Sequence, residues 1–527
     1  MFASFVAGKY LVTMARGQVL QPVFKAYQQR QAMLLPPSLE ELIAPNHPVR
    51  VVDEVLGKID IRPLMRQYKT GGASSYHPGM LLKVLVYAYI NNIYSSRKIE
   101  EALQQNIHFM WLSGMSQPDH NTINRFRSER LKEPLKKIFV QVVQLLAAEG
   151  LLSIKELYTD GTKIEANANR YTFIWGNAIK TNKEKMKQQL DALWKYAQNI
   201  AASEPDDTDP SGFDKIDKEK VEQTIAKIDA ALQDKPVSRQ IKQKLNYARK
   251  NWPAALDKYE QQEKIMGEQR SSYSKTDTDA TFMRMKEDHM KNGQLKPAYN
   301  LQVSTNNQYI ANYSIHQATT DTTTLPAHLN DYTEQYQTTP AILTADAGYG
   351  SEENYQYLEQ NNITAYVKYS LFDREQNQTI QHKKPFAADK LYYNKDEDYY
   401  VCPMGQRMEN KGSHIRTTAT AFKQRITNYQ AKNCSGCPLN GACHKSKGNR
   451  IIEVSHQLNE LKQQARRLLE SEEGIKKRKQ RCWDVEPVFA SIKNNHGFKR
   501  FMLRGKEKVF IEAGLLALAH NLRKKAA

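Results

Sequence analysis

Cysteine is scarce in this chain, with five in 527 residues. That excludes a disulfide-built scaffold and makes the cytoplasm the expected compartment. Long hydrophobic runs are missing too. No apolar stretch reaches the roughly 18 residues of a membrane-crossing helix. No basic leader with a small-residue cleavage site precedes a cysteine-rich domain, so the apolar stretch from Met1 to Met14 reads as an extension upstream of a start at Met14. No internal repeat is present. Acid is in deficit: 57 Asp and Glu stand against 76 Lys and Arg, a formal net charge of +19. Such an excess speaks of partners, not of fold, and points to a polyanion such as nucleic acid or an acidic membrane surface.

The remaining composition is ordinary. Hydrophobic residues make up 40% and charged residues 25%, so the chain can build a core and is not disordered overall. At about 100–200 residues per domain, its length suggests three or four domains.

The first zone reads as helical. In LPPSLEELI, Ser38 and Glu41 form a capping-box pattern. HPGMLLKVLVYAYINNIY is a strongly apolar helix opening at Pro78. A helix IEEALQQNIHFMWL ends at Gly114, a turn follows, and HNTINRFRSERL (120–131) is a basic helix with Asp119 as its N-cap. Helix, turn and then a helix carrying Arg125 and Arg127 is the layout of a helix-turn-helix DNA reader; the other reading is a helical domain with a solvated basic face.

Next comes a strand, KELYTDGTKIEANAN, holding Asp160. Residues 176–280 differ: Met186, Leu190, Leu193, Trp194 and Ala197 recur at helical spacing, and after a polar break at 203–213 so do Ile216, Val221, Ile225, Ile228 and Leu232. This reads as an inserted helical hairpin or short coiled coil with no chemistry of its own. Strands then resume. A hairpin turns at Asn306-Asn307, a helix follows, and AILTAD ends in Asp346 before glycines 348 and 350. A helix capped by Ser351 and a strand at 363–369 complete a mixed α/β sheet.

Asp160 in one strand, Asp346 at the carboxyl end of a second, and Glu486 beside a helix that Pro487 would open are candidate metal carboxylates. Lys493 lies seven residues beyond Glu486, two turns along the same face. Hard carboxylates suit Mg²⁺, and two such ions suit phosphodiester cleavage. Cys402, Cys434, Cys437 and Cys443 have structural-zinc spacing, with His444 able to replace one thiolate; reduced thiols or a disulfide are the alternatives. Cys482 stands apart and reads as packing. Half of the excess charge lies at 474–527, which hold 14 Lys and Arg against 4 Asp and Glu.

TDGTKIEANAN, TADAGYGS and VEPVFASIK resemble the three catalytic blocks of bacterial insertion-sequence DDE transposases, more narrowly the eleven-eighty-two family. The N-terminal YHPGMLLKVLVYAYINNIYSSRKIEEALQQN and PDHNTINRFR, and the later SKTDTDATFMRMK and LKPAYNLQVSTN, resemble further segments of those enzymes, so the likeness runs from about residue 20 to 525.

The resemblance implies an RNase H-like catalytic core, a mixed sheet with flanking helices, formed by 151–175, 281–370 and 456–527. It also implies a helical DNA-binding domain at 20–150, a helical insertion at 176–280 and a Cys-rich insertion at 371–455. The implied catalytic and metal-binding triad is Asp160, Asp346 and Glu486, serving two Mg²⁺ (or Mn²⁺) ions. Lys493, Arg500 and Arg504 are implied phosphate contacts. Cys482 stands where the wider group has an upstream Arg, although Arg478 and Arg481 are near. Tyr349 is read either as a stacking or phosphate contact or as core. Implied partners are double-stranded DNA, as terminal inverted repeats and target, and a second copy of the chain. The expected activity is cleavage at element ends and strand transfer. A DNA-binding regulator without catalysis, and a nuclease without strand transfer, are the alternatives.

Overall fold

A computed structural model describes residues 38–68, 75–201, 216–268, 270–285, 293–376 and 385–527. The Met1–Met14 extension, residues 20–37 of the expected first domain and the polar break at 203–213 lie outside the described residues. Residues 1–43 form one unit and 44–527 another. In the first, α1 (Leu39–Leu42) carries the expected capping box between Ser38 and Glu41.

The second unit begins with helices: α2 (Pro48–Gly57), α3 (Arg62–Met65), α4 (Pro78–Ile90), α5 (Ser96–Gln105), α6 (Ile107–Leu112), α7 (His120–Arg125) and α8 (Pro134–Ala148). α4 is apolar all round and therefore buried on nearly all sides. The single helix expected from Ile99 to Leu112 is two. Asn106 ends α5 in extended backbone and caps α6, its side chain accepting from His108 N at 2.9 Å. Asp119 caps α7 as expected, accepting from Thr122 N at 2.7 Å. α7 is shorter than the expected 120–131 helix, because Phe126–Arg130 form a π turn.

The central sheet contains β1 (Glu156–Glu165), β4 (Thr281–Arg284), β5 (Leu295–Asn306), β6 (Tyr309–His316), β7 (Ile342–Ala345) and β8 (Thr364–Val367). β5 lies antiparallel to β1 on one side and to β4 and β6 on the other, while β1, β7 and β8 are parallel neighbours. The β5–β6 turn is Asn307-Gln308, both with φ above +50°, one residue later than expected. A small pair, β2 (Phe173–Trp175) and β3 (Ser272–Ser274), brackets three helices: α9 (Gly176–Ala201), α10 (Lys218–Ala231) and α11 (Arg239–Met266). The expected hairpin is thus three helices around a core of their own, in which Leu190, Val221, Ile228 and Trp252 are buried together.

α12 (Leu325–Tyr336) precedes β7; α13 (Glu352–Gln360), capped by Ser351 at 3.2 Å, precedes β8; α14 (Phe372–Glu375) follows it. The cysteine-rich segment is an antiparallel sheet of β9 (Tyr393–Asn394), β10 (Tyr399–Val401), β11 (Arg407–Thr417), β12 (Lys423–Ala431) and β13 (Ile451–Val454). The chain then runs through α15 (His456–Glu470), α16 (Glu472–Ala490), a π turn at Ser491–Asn495, and α17 (Lys506–Ala526). α17 ends in cations but presents little surface. It is buried along most of its length against β6, α4, α2 and α8, and its last-turn cations Arg523, Lys524 and Lys525 suit a helix C-terminus.

Candidate active site

The carboxylates meet through register. Thr159 pairs with Ala345 across the parallel β1–β7 ladder, so Asp160 and Asp346 are the next residues on neighbouring strands, at one level of the sheet. Asp160 is nearly buried, at 7% exposure, and Asp346 is half-buried. Asp346 also caps the 3₁₀ turn Ala347–Tyr349, its Oδ1 accepting from Gly348 N at 2.8 Å.

Glu486 comes from α16, which lies on the Asp160 face of the sheet. Lys477, Arg481 and Asp484, spaced i, i+4 and i+7 on one helix face, reach Glu156 at 2.6 Å, Asp160 at 3.3 Å and Thr305 at 2.6 Å. Pro487 does not open this helix but sits inside it, which places Glu486 mid-helix. Proline has no N–H for the carbonyl four residues back. That carbonyl, of Trp483, accepts from Gln308 Nε2 at 2.9 Å instead, which explains how the interior proline is tolerated.

Arg481 joins the first and third acids. Nη1 lies 3.3 Å from Asp160 Oδ2 and Nη2 lies 3.2 Å from Glu486 Oε1, and its side chain is only 13% exposed. A cation thus already stands between two of the three carboxylates. Among the described residues, no group of three or more His, Cys, Asp or Glu is gathered so that it could hold a metal ion. The donor chemistry nonetheless fits a hard divalent cation: carboxylate oxygens flank a spot where positive charge is already accommodated.

Several expected DNA contacts are placed elsewhere. Arg127 is buried, donating to the Tyr94 carbonyl at 2.7 Å, because its π turn faces the core at Tyr89 and Glu512. Arg125 is exposed at the end of α7, with Asn121 and Asn124. Tyr349 is fully buried and donates its hydroxyl to Gln302, an arrangement that favours core packing over contact with DNA. Lys493 lies in the π turn after α16 and is 8% exposed, a poor position for a phosphate contact. Arg500 and Arg504 are exposed but donate to carbonyls of the segment after β1: Arg500 to Ala166 at 3.2 Å, Arg504 to Asn167 at 2.8 Å. Cys482 is exposed rather than packed.

The four clustered cysteines are half-buried free thiols. Gly405 and Gly436, at φ +80° and +70°, make the turns beside Cys402 and Cys437. Cys402 and Cys434 lie against one small core, and their sulfurs accept from Gln406 N at 3.3 Å and Arg450 N at 3.4 Å. Arg450 Nη1 stands 2.9 Å from Cys443 Sγ. As placed, the sulfurs of Cys402, Cys434 and Cys443 accept N–H bonds, and no three of the cysteines are gathered as a metal site among the described residues.

Two groups went unassigned in the sequence reading: Arg481, noted only for its nearness, and Asp321 with its amide partners. The available signal was polar alternation in a buried strand, since Asn300, Gln302 and Ser304 fall on one face of β5.

Comparison with known families bears on the two ends of the chain. A family described as a transposase DDE domain matches residues 401–526, the stretch with the cysteines and Glu486, and one described as a transposase domain matches 37–129, the helical part. No curated protein and no solved structure gave a match. The match to a transposase DDE domain, together with the mixed α/β sheet, supports a nucleic-acid-cleaving enzyme. The two matches, in the expected order, support an insertion-sequence DDE transposase.

Proposed function

We propose that the chain is a DDE transposase of the eleven-eighty-two type that cleaves its element's ends and joins them to target DNA, acting as a dimer on duplex DNA in the nucleoid. The observation that carries this reading is the register of Asp160 with Asp346, with Glu486 tied to Asp160 through Arg481. The parallel β1–β7–β8 neighbours, with antiparallel β5 and β6 beyond, agree with an RNase H-like core.

Asp160 and Asp346 would hold the divalent cations, and Glu486 would complete the second position. Once bound there, such ions would supply water activation and charge stabilisation at the phosphoryl oxygens. Arg481 pairs with Asp160 and Glu486 and, were these acids to hold the cations, its guanidinium would be placed to face a phosphate oxygen. Glu486 is exposed, which leaves that side of the site open to DNA. Exposed Arg125 on α7 and the chain's +19 charge support contact with the DNA backbone. A structural zinc in the cysteine sheet belongs to the same reading, supported by its glycine-containing turns; metal analysis of the purified protein decides it.

The test is a cleavage and joining assay in Mg²⁺, on duplexes carrying the inverted repeats that flank the chain's own coding sequence. Asp160→Asn, Asp346→Asn and Glu486→Gln should each reduce cleavage at least a hundredfold while end binding persists. Full activity of Asp346→Asn would overturn the assignment.

A further inference from the structure

Beneath the sheet, on the face opposite Asp160, lies a polar network that the proposed reaction does not use. Register sets Gln302 of β5 opposite Gly161 and Asn300 opposite Lys163, whereas Asp160 shares the other face with Val303. Asn300 and Gln302 are fully buried. Asp321, in the loop between β6 and α12, lies under Gly161. Its Oδ1 accepts from Asn300 Nδ2 at 2.7 Å and from Gln302 Nε2 at 2.8 Å. Gln302 in turn accepts the Tyr349 hydroxyl.

The same loop grips the turn after Asp346. Thr322 Oγ1 donates to the Gly348 carbonyl at 2.8 Å. Asn354 Nδ2 donates to both the Thr322 carbonyl, at 2.9 Å, and the Tyr349 carbonyl, at 2.8 Å. The closeness is extreme at residue 161: a Cβ there would lie 2.3 Å from Gln302 Nε2 and 2.4 Å from Asp321 Oδ1. Burial raises the Tyr349 hydroxyl well above its usual pKa, and the carboxylates of Asp321, Asp160 and Asp346 raise it further, so the network and the strand-end acids converge on one phenol.

We propose that Asp321 is a positioning residue for the two strand-end aspartates. Through Gln302 and Tyr349 it ties the backbone after Asp160 to the turn after Asp346, and so holds their relative placement from behind the sheet. This rests on the reading of Asp160 and Asp346 as metal ligands. Hydrogen-bonded groups behind metal ligands characteristically alter metal affinity by about 10–100-fold when removed. A carboxylate that merely braced the loop would change stability and leave the metal response alone.

The experiment compares the full chain with Asp321→Ala, Asp321→Asn and Tyr349→Phe. It measures Mn²⁺ binding to the protein by electron paramagnetic resonance, and the Mn²⁺ concentration giving half-maximal end cleavage. Asp321→Ala should raise both by about tenfold. Asp321→Asn, which keeps one acceptor oxygen for the amides, should raise them less. Tyr349→Phe, which deletes a single hydroxyl, tests the same link if Asp321→Ala does not fold, and should shift both in the same direction. Affinity for end DNA should stay within about twofold. Parent-like Mn²⁺ responses in the folded variants, whether cleavage is retained or lost, overturn the proposal. Asp346→Asn run alongside separates the two readings: an inactive Asp346→Asn beside a parent-like Asp321→Ala sinks only the positioning role, while an active Asp346→Asn sinks the metal-ligand reading beneath it.

Discussion

Single residues in this protein are constrained by what lies across the sheet as much as by their own backbone. Gly161 does not have the left-handed conformation that usually requires glycine; it sits mid-strand, where a glycine marks close approach of another group. Its neighbours Gln302 and Asp321 leave no room for a methyl group. Gly161→Ala should therefore destabilise the fold by about 1–3 kcal/mol, the usual cost of overpacking, as read from urea unfolding midpoints. An unchanged midpoint would mean that Asp321 moves aside at no cost. Arg127 gives the opposite lesson. As one cation among several in a basic stretch it looks like a DNA contact, yet its guanidinium is buried beside Tyr89 and donates to the Tyr94 carbonyl. Charge type is visible residue by residue, but the direction in which a side chain points is not.

At the scale of elements, α16 carries the third acid and is shaped by its proline. Pro487 leaves the Trp483 carbonyl without its helical donor, and Gln308 of the β5–β6 turn supplies one. Asp484 fastens the same segment, accepting from Thr305 Oγ1 at 2.6 Å and Gln308 N at 3.1 Å. A double-mutant cycle tests this directly. Gln308→Ala should cost about 1 kcal/mol in the parent, where a carbonyl loses its partner. In Pro487→Ala, whose residue 487 can donate to that carbonyl itself, the same change should cost clearly less. Equal costs in both backgrounds would remove the link.

Element boundaries set by local chemistry were legible in advance. The caps at Ser38, Asp119 and Ser351 depend on residues three apart and fell where the pattern placed them. The helix break at Asn106 was missed because an apolar periodicity runs on past it. The sheet from β9 to β13 was missed because much of β11 is exposed on both sides, so no apolar alternation announces it.

The whole molecule has an acid liability. His328 is fully buried between Ser304 and Ser314, and burial holds its imidazole well below the usual value, with His316 and Lys136 adding to the effect. Burial lowers His316 and His520 to about 4. These groups stay neutral in the folded chain but bind protons in the unfolded one below about pH 6.5. Their contribution is complete above that value and is lost as the pH falls beneath it, by up to roughly 1.4 kcal/mol per pH unit for each histidine. Urea midpoints should drop steadily from pH 6.5 to 5. A flat profile over that range would show that the histidines are protonated without cost.

From the sequence alone one could read a +19 chain with a helical front, an interrupted mixed α/β core and three acids in order, because composition, periodicity and motif order are properties of the chain taken in line. Tertiary structure decided which of these residues meet. Asp160 and Asp346 share a level because of strand register, 186 positions apart in the chain. Arg481 stands between Asp160 and Glu486, and Asp321 lies behind Gly161, because a helix and a loop pack on opposite faces of one sheet. Arg127, Tyr349 and Lys493 are buried for a related reason. Burial is a property of the surroundings, and the surroundings of each come from residues far away in the chain.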